Sequence, residues 1–511
     1  MKLKEQEINR GFAATIKHGF GSFFPEPPEL LVAKKHWKNI RSLLTSYDLD
    51  GYNGYTPVRS FAPKSRLSVR RVTLLHPIDF ILYTAIVLKL KDSIAKSRLP
   101  ANKVFSYRTE KTTRAQLYSP SSSKKEFSAA AKVRLEAGKD LFVGITDIAD
   151  FFPRIYHHRL INALEANSGS ALLPHVRVLE KMISRFSEGT SYGIPIGPPA
   201  SRLLAEAVLI DVDSTLVSYG IDFIRFVDDY LIFATKPTDA EYGIRILGET
   251  LFLNHGLTLQ TAKTKVVSAS EYIERYLLLH SEKEQGRRRL YEMLGDSLYE
   301  NFSYEDLDDD QKRDIDSYNL VEMLQEALAE GENVDYQEVS FIIGRLSSLQ
   351  KPELISIVLE NLERLYPVAD AVSAFFRQFK NLTKARYEEI GSVLLRPILD
   401  GSETRPSEFY VIWILSVFAS DERWGHGDEL LRVFRETNSD SIRRYAALAL
   451  ARSGSRAQVV AIKEYLNSGS SLSRTAMLLA TAKLGVDERR YLKKSLRLND
   501  DFEKLCAEAR I

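Results

Sequence analysis

Phe223-Ile-Arg-Phe-Val-Asp-Asp-Tyr-Leu-Ile-Phe233 is apolar on both sides of one acidic pair. Its aromatic and β-branched residues predict two short strands, with Asp228-Asp229 at the tight turn between them. An Asp-Asp turn taken alone is an ordinary hairpin turn, because Asp side chains bond readily to their own backbone. Upstream, Leu141-Phe-Val-Gly-Ile-Thr146 reads as a buried strand that ends in Asp147. Two further segments complete an ordered set. Gly193-Ile-Pro-Ile-Gly-Pro-Pro-Ala-Ser201 is a turn shaped by glycine and proline that feeds a helical pattern from Ser201 to Val217. Gly256-Leu-Thr-Leu-Gln-Thr-Ala-Lys-Thr-Lys265 comes last.

Asp147, Asp228 and Asp229 offer only oxygen donors, which suit hard Mg²⁺ and not zinc. Two such ions roughly 3.5–4 Å apart activate a hydroxyl nucleophile, bridge a triphosphate and stabilise its leaving group. Without metal the three carboxylates would repel, so a purely structural role would be costly. Asp150, by contrast, reads as the start of a local helical turn.

The chain has 511 residues, which suggests two or three domains. Apolar residues make up 44% and charged residues 27%, a balance that excludes disordered and fibrous classes. The single cysteine, Cys506, excludes a disulfide framework and a cysteine-based zinc site, and fits a reducing cytosol. Phe80-Ile-Leu-Tyr-Thr-Ala-Ile-Val-Leu88 is a long apolar run and is half of what a membrane span needs. No signal peptide is visible behind Met1, so a cytoplasmic protein with no membrane partner is expected. The net charge of +2 divides unevenly: residues 1–140 are strongly basic and the remainder is acidic. A basic face of this kind serves a polyanion partner or is simply solvated.

Three regions are expected. Residues 1–60 read as an irregular extension, 61–285 carry the motifs, and 286–511 are helical. From Ser68 to Ala95 the apolar spacing is helical. Tyr304 to Asp316 reads as a charged, solvated segment. Near the end, Ser441-Ile-Arg-Arg-Tyr-Ala-Ala-Leu-Ala-Leu-Ala-Arg-Ser-Gly454 is similar to Leu472-Ser-Arg-Thr-Ala-Met-Leu-Leu-Ala-Thr-Ala-Lys-Leu-Gly485, with Arg444 matching Arg474. Stacked helical repeats show such self-similarity, and an ordinary helical bundle is the alternative.

In order, the four segments resemble the palm motifs of reverse transcriptases: a strand with D-[IL]-x-x-F-F, a G-x-P-x-G turn, an x-x-D-D hairpin and a later L-x-x-x-K-T. Phe226 ahead of the acidic pair, with a long helical C-terminal region, most resembles the prokaryotic phage-defence group, the abortive-infection enzymes. The resemblance implies an α+β right-hand polymerase (fingers and palm) followed by an all-α, HEAT-like helical-repeat domain. It implies an antiphage, Mg²⁺-dependent DNA polymerase with two ions, held by Asp147, the Ile148 carbonyl, Asp228 and Asp229.

The resemblance also assigns individual residues. Phe152 matches the aromatic under the sugar, which would select dNTPs, or it is a core aromatic. Gly197 belongs to the motif turn. Arg70 or Arg71 matches a triphosphate-binding arginine, and Val104-Phe-Ser-Tyr-Arg108 resembles a second fingers motif. Lys263, or its neighbour Lys265, would protonate the leaving pyrophosphate.

Ile196 stands where many relatives have Gln, and no thumb pattern follows residue 280; both departures weigh against grip on a long templated duplex. The expected partners are dNTPs, a DNA product attached covalently to a protein hydroxyl, RNA, and further copies of the chain in a homo-oligomer. Tyr47, Tyr52 and Tyr55 lie in flexible-looking segments, and none is singled out as a primer. Two alternatives remain open: a templated enzyme of retron-like or diversity-generating type, or an inactive polymerase-shaped scaffold.

Overall fold

The computed structural model describes residues 1–277 and 320–509, apart from 20, 22, 66, 110–115, 120–123, 139, 330–333, 350–353, 401–405, 468, 497 and 499. The acidic segment from Tyr304 to Asp316, and the region just after 280, lie outside the described residues. Among the described residues, six strands occur: β1 (Val58–Pro63), β2 (Val69–Leu74), β3 (Phe142–Asp147), β4 (Asp222–Phe226), β5 (Asp229–Ala234) and β6 (Lys265–Ser268).

The chain forms two compact units, each discontinuous in sequence. One gathers the described residues of Met1–Gly19, Leu44–Gly54 and Ile78–Glu300; the other gathers those of Phe20–Leu43, Tyr55–Pro77 and Asn301–Ile511. Linear boundaries at residues 60 and 285 do not anticipate this exchange of segments.

In the first unit β3 to β6 form an antiparallel sheet in the order β4-β5-β3-β6. The central strand β5 buries Tyr230, Leu231, Ile232 and Phe233, so its apolar run reflects cover on both faces. Helix Pro237–His255 packs across β3, β5 and β6. It starts with proline in its first turn and ends at Gly256, whose φ of 65° suits the left-handed cap. Gly144 and Gly243 permit this close approach, because a Cβ at Gly243 would stand 2.8 Å from Ile232. The helical pattern from Ser201 to Val217 is two helices, Ala200–Val208 and Ile210–Ser218.

The second unit holds the β1–β2 hairpin and most of the C-terminal helices. The helical spacing from Ser68 onward is corrected here: residues 69–74 form a strand, and the helix runs Pro77–Ser97. Antiparallel pairing with β1, from Val69 opposite Pro63 to Leu74 opposite Val58, makes this stretch a strand, and Pro77 opens the helix where a missing N–H costs nothing. Helix Glu408–Phe418 is buried from Phe409 onward and packs against β1.

Helices Tyr336–Leu349, Ala369–Gln378, Glu408–Phe418, Asp440–Ser453, Ser471–Ala480 and Asp501–Glu508 follow one another so that each packs on the next of the series. Ser407, Ser439, Ser470 and Asp500 cap the last four, each accepting a backbone N–H three residues on.

Arg444 is fully buried, and its guanidinium forks onto both oxygens of the equally buried Glu29, at 2.6 Å for Nη2 to Oε2. It also donates to the Leu472 carbonyl at 2.7 Å, and Thr475 donates to Glu29 at 2.8 Å. Arg443-Arg444 is therefore no exposed basic patch, since Arg444 has a partner 415 residues away. Arg489 likewise donates to the Ala507 and Ala509 carbonyls. Tyr55 is held as well: its ring stacks on His76 and its hydroxyl donates to Asp500 at 2.8 Å.

Candidate active site

Antiparallel pairing sets the acidic residues side by side. Asp147 ends β3 directly opposite Asp229, the first residue of β5, while Phe226, the last of β4, also faces Asp229 across the hairpin. The N–H of Ile148 donates to the Asp228 carbonyl at 3.2 Å, and the N–H of Gln260 donates to the Asp147 carbonyl at 2.7 Å. Ile148 also bridges Leu259, which draws the 256–265 segment to the same end of the sheet.

Burial, then the charges of Asp229 and Asp147, pushes Asp228 up to about 7. Asp147 is raised too, chiefly by burial and against the pull of Lys263. Lys263 reaches Asp147 at 2.7 Å; burial lowers the ammonium but its bond to Asp147 and the three carboxylates outweigh that and raise it. Lys265 instead lies 5.2 Å from the Tyr276 ring. Thus the structure brings Lys263, and not Lys265, onto a carboxylate. Sequence reading missed Lys124, whose ammonium lies 3.3 Å from Asp229; nothing local distinguishes it from its neighbour Lys125.

The donor set is all oxygen, and two lysine ammonium groups already lie on it as cations would, so these residues fit a hard divalent ion. Among the described residues no group of three His, Cys, Asp or Glu side chains is already closed around one point.

Phe151 is buried, while Phe152 stays half-buried beside it, the rings edge to face at 5.7 Å. Asp150 takes a left-handed conformation, φ 47°, at the start of the short helix Phe151–Arg154. Gly193 has φ 85°; its carbonyl accepts from Ser187 at 2.8 Å and lies 2.7 Å from His157 Nε2. Gly197 has φ 127°, so both glycines of the turn hold backbone conformations other residues avoid. Ser201 is buried against the Tyr83 hydroxyl at 2.9 Å. Arg70 and Arg71 lie on β2 in the second unit; Arg70 is 5.8 Å from the Phe23 ring and Arg71 is exposed. The sheet and its carboxylates therefore belong to one unit and this arginine pair to the other.

Residues 63–296 match the family model described as reverse transcriptase (RNA-dependent DNA polymerase). The chain carries a reverse transcriptase domain. That domain is a nucleotidyltransferase of the RNA-directed DNA polymerase type, and all four motif segments fall inside it. No curated protein matches the sequence. Among solved structures, telomerase from Candida albicans in complex with a fragment of telomeric RNA aligns at 12% identity and TM-score 0.32, over 87% of this chain and 65% of that one. Apo telomerase from Candida tropicalis aligns at 11% identity and TM-score 0.34, over 81% of this chain and 74% of that one.

Proposed function

We propose that this protein is a Mg²⁺-dependent DNA polymerase of the reverse transcriptase type that acts in antiphage defence by abortive infection. The observation that carries the reading is Asp228, raised to about 7 by burial beside two further carboxylates. Lys263 and Lys124 lie on Asp147 and Asp229, and a divalent cation would relieve the repulsion that Asp228 still feels from both carboxylates. Asp147, Asp228, Asp229 and the Ile148 carbonyl would hold two ions, which when bound activate a hydroxyl and neutralise phosphate charge.

The chain's own groups do the rest. The Lys263 ammonium, which lies on Asp147, would give a proton to the departing pyrophosphate. Phe152, half-buried next to Asp147's strand end, shapes the sugar site against a 2′-hydroxyl.

The defence reading is supported by the sequence resemblance and by the C-terminal helix series. The recurrence of capping residues about every 30 residues supports a HEAT-like helical repeat, since such arrays repeat at 20–50 residues. DNA growth from a protein hydroxyl is supported by Ile196 in place of Gln. The test is to incubate purified protein with labelled dNTPs and Mg²⁺, without template, and then to boil it. Label that stays with the protein and is released as DNA by protease is the expected result. Incorporation only after addition of a primer–template would reject the priming mode.

A further inference from the structure

Val227, the residue before the acidic pair, has φ 58°. A β-branched side chain is strained in that region, and such a conformation persists only where its surroundings impose it. Both polar groups of the Val227 backbone are held. Its N–H donates to Ser106 Oγ at 3.0 Å, and its carbonyl accepts from Arg225 Nη1 at 2.8 Å.

Both holders are themselves fixed. Ser106 Oγ donates to Glu206 Oε1 at 2.5 Å, so the hydroxyl accepts from the turn and gives to a carboxylate. Arg225 forks onto Asp213, with Nη2 2.6 Å from Oδ2 and Nε 2.9 Å from Oδ1, and lies 3.0 Å from Glu206. Arg98 closes the network on Glu206 at 2.6 Å, and the Tyr230 hydroxyl donates to Asp213 at 3.1 Å. Two arginines thus balance two carboxylates, all buried. Four separate segments supply the members: 98–106, 206–213, β4 and β5. Apart from Arg98 Nε, which has no hydrogen-bond partner, these groups are paired, and paired groups in low dielectric form a rigid network.

We propose that Ser106 and Arg225 are positioning residues: they clamp Val227 in its left-handed turn and so aim Asp228 and Asp229. The Val104–Arg108 stretch, whose sequence resembles a fingers motif, thereby acts on the hairpin from below. Ser106 runs beside β4, since Phe105 N–H donates to the Arg225 carbonyl and Arg225 N–H donates to the Lys103 carbonyl.

The clamp matters because Val resists this backbone. Ser106→Ala removes the hydroxyl and no charge, and a turn so freed relaxes toward negative φ and displaces the carboxylates. Displacement of about 1 Å costs about 100-fold in rate. Glycine adopts positive φ without strain, so Val227→Gly makes the clamp dispensable.

The inference rests on the proposed role of Asp228 and Asp229, and four full-length variants separate the two. Each is measured for dNTP incorporation and for Mn²⁺ binding, followed by the loss of the free-ion paramagnetic signal. Ser106→Ala is expected to lower turnover 10- to 100-fold (about the scale above) and to weaken Mn²⁺ binding, with dNTP KM within about twofold. Ser106→Ala in the Val227→Gly background is expected to recover most of both losses. An equal loss from Ser106→Ala on either background would overturn the clamp, as would unchanged Mn²⁺ binding in Ser106→Ala. If Ser106→Ala fails to fold, Ser106→Cys, which keeps the volume, takes its place. Full activity and Mn²⁺ binding in Asp228→Ala would instead reject the site itself.

Discussion

Asp228 binds its proton more tightly in the folded chain than when free, so its protonated form favours folding. Metal-free stability from this group is full below about pH 4, the free carboxylate range, and is lost as the pH rises through about 7. The thermal midpoint of metal-free protein is expected to fall between pH 5 and pH 8 by more than that of Asp228→Asn. Identical pH profiles for the two proteins would contradict the assignment. Phe152→Ala is expected to admit ribonucleotides at least tenfold better, by roughly the 1–3 kcal/mol that a lost steric contact is worth, while dNTP use falls modestly. Unchanged discrimination would leave Phe152 as a core aromatic. Tyr230 is no substitute gate, because its side chain is buried and its hydroxyl is spent on Asp213. The carboxylates were legible in the sequence because each ends an apolar run. The clamp beneath them was not, since Ser106, Glu206, Asp213 and Arg225 meet only after the chain folds and no local pattern links them.

Elements tell the same difference between near and distant contacts. The Asp228-Asp229 hairpin reads correctly because its strands are adjacent in sequence, whereas β2 was read as helix because six residues preceding a true helix share its apolar spacing. Arg444 is buried against a partner far off in sequence, which lies in the helix Glu29–Lys35. Removing one member of a buried pair leaves the other charge uncompensated. Glu29→Ala is therefore expected to destabilise the second unit by about 3–5 kcal/mol. Urea unfolding followed at the tryptophans of that unit, Trp37, Trp413 and Trp424, would show it. A change below about 1 kcal/mol, the range of exposed pairs, would mean that the pair does not hold residues 20–43 in place.

For the whole molecule, the interleaving of segments sets what can be cut. A fragment of residues 1–290 would keep 20–43 and 55–77 but lose the helices on which they are folded, leaving Leu30, Val32 and Ala33 uncovered. Such a fragment is expected to aggregate or to lose activity, and the intact chain is expected to run as a homo-oligomer in light scattering. A soluble, monodisperse and fully active 1–290 fragment would contradict both. The most direct measurement compares labelled dNTP incorporation by the intact chain and by Asp228→Ala, at equal concentration in Mg²⁺, with the thermal midpoint of each recorded alongside. Incorporation by the intact chain, abolished in the variant at an equal or higher midpoint, is the expected result; incorporation by Asp228→Ala at the intact chain's rate would contradict it.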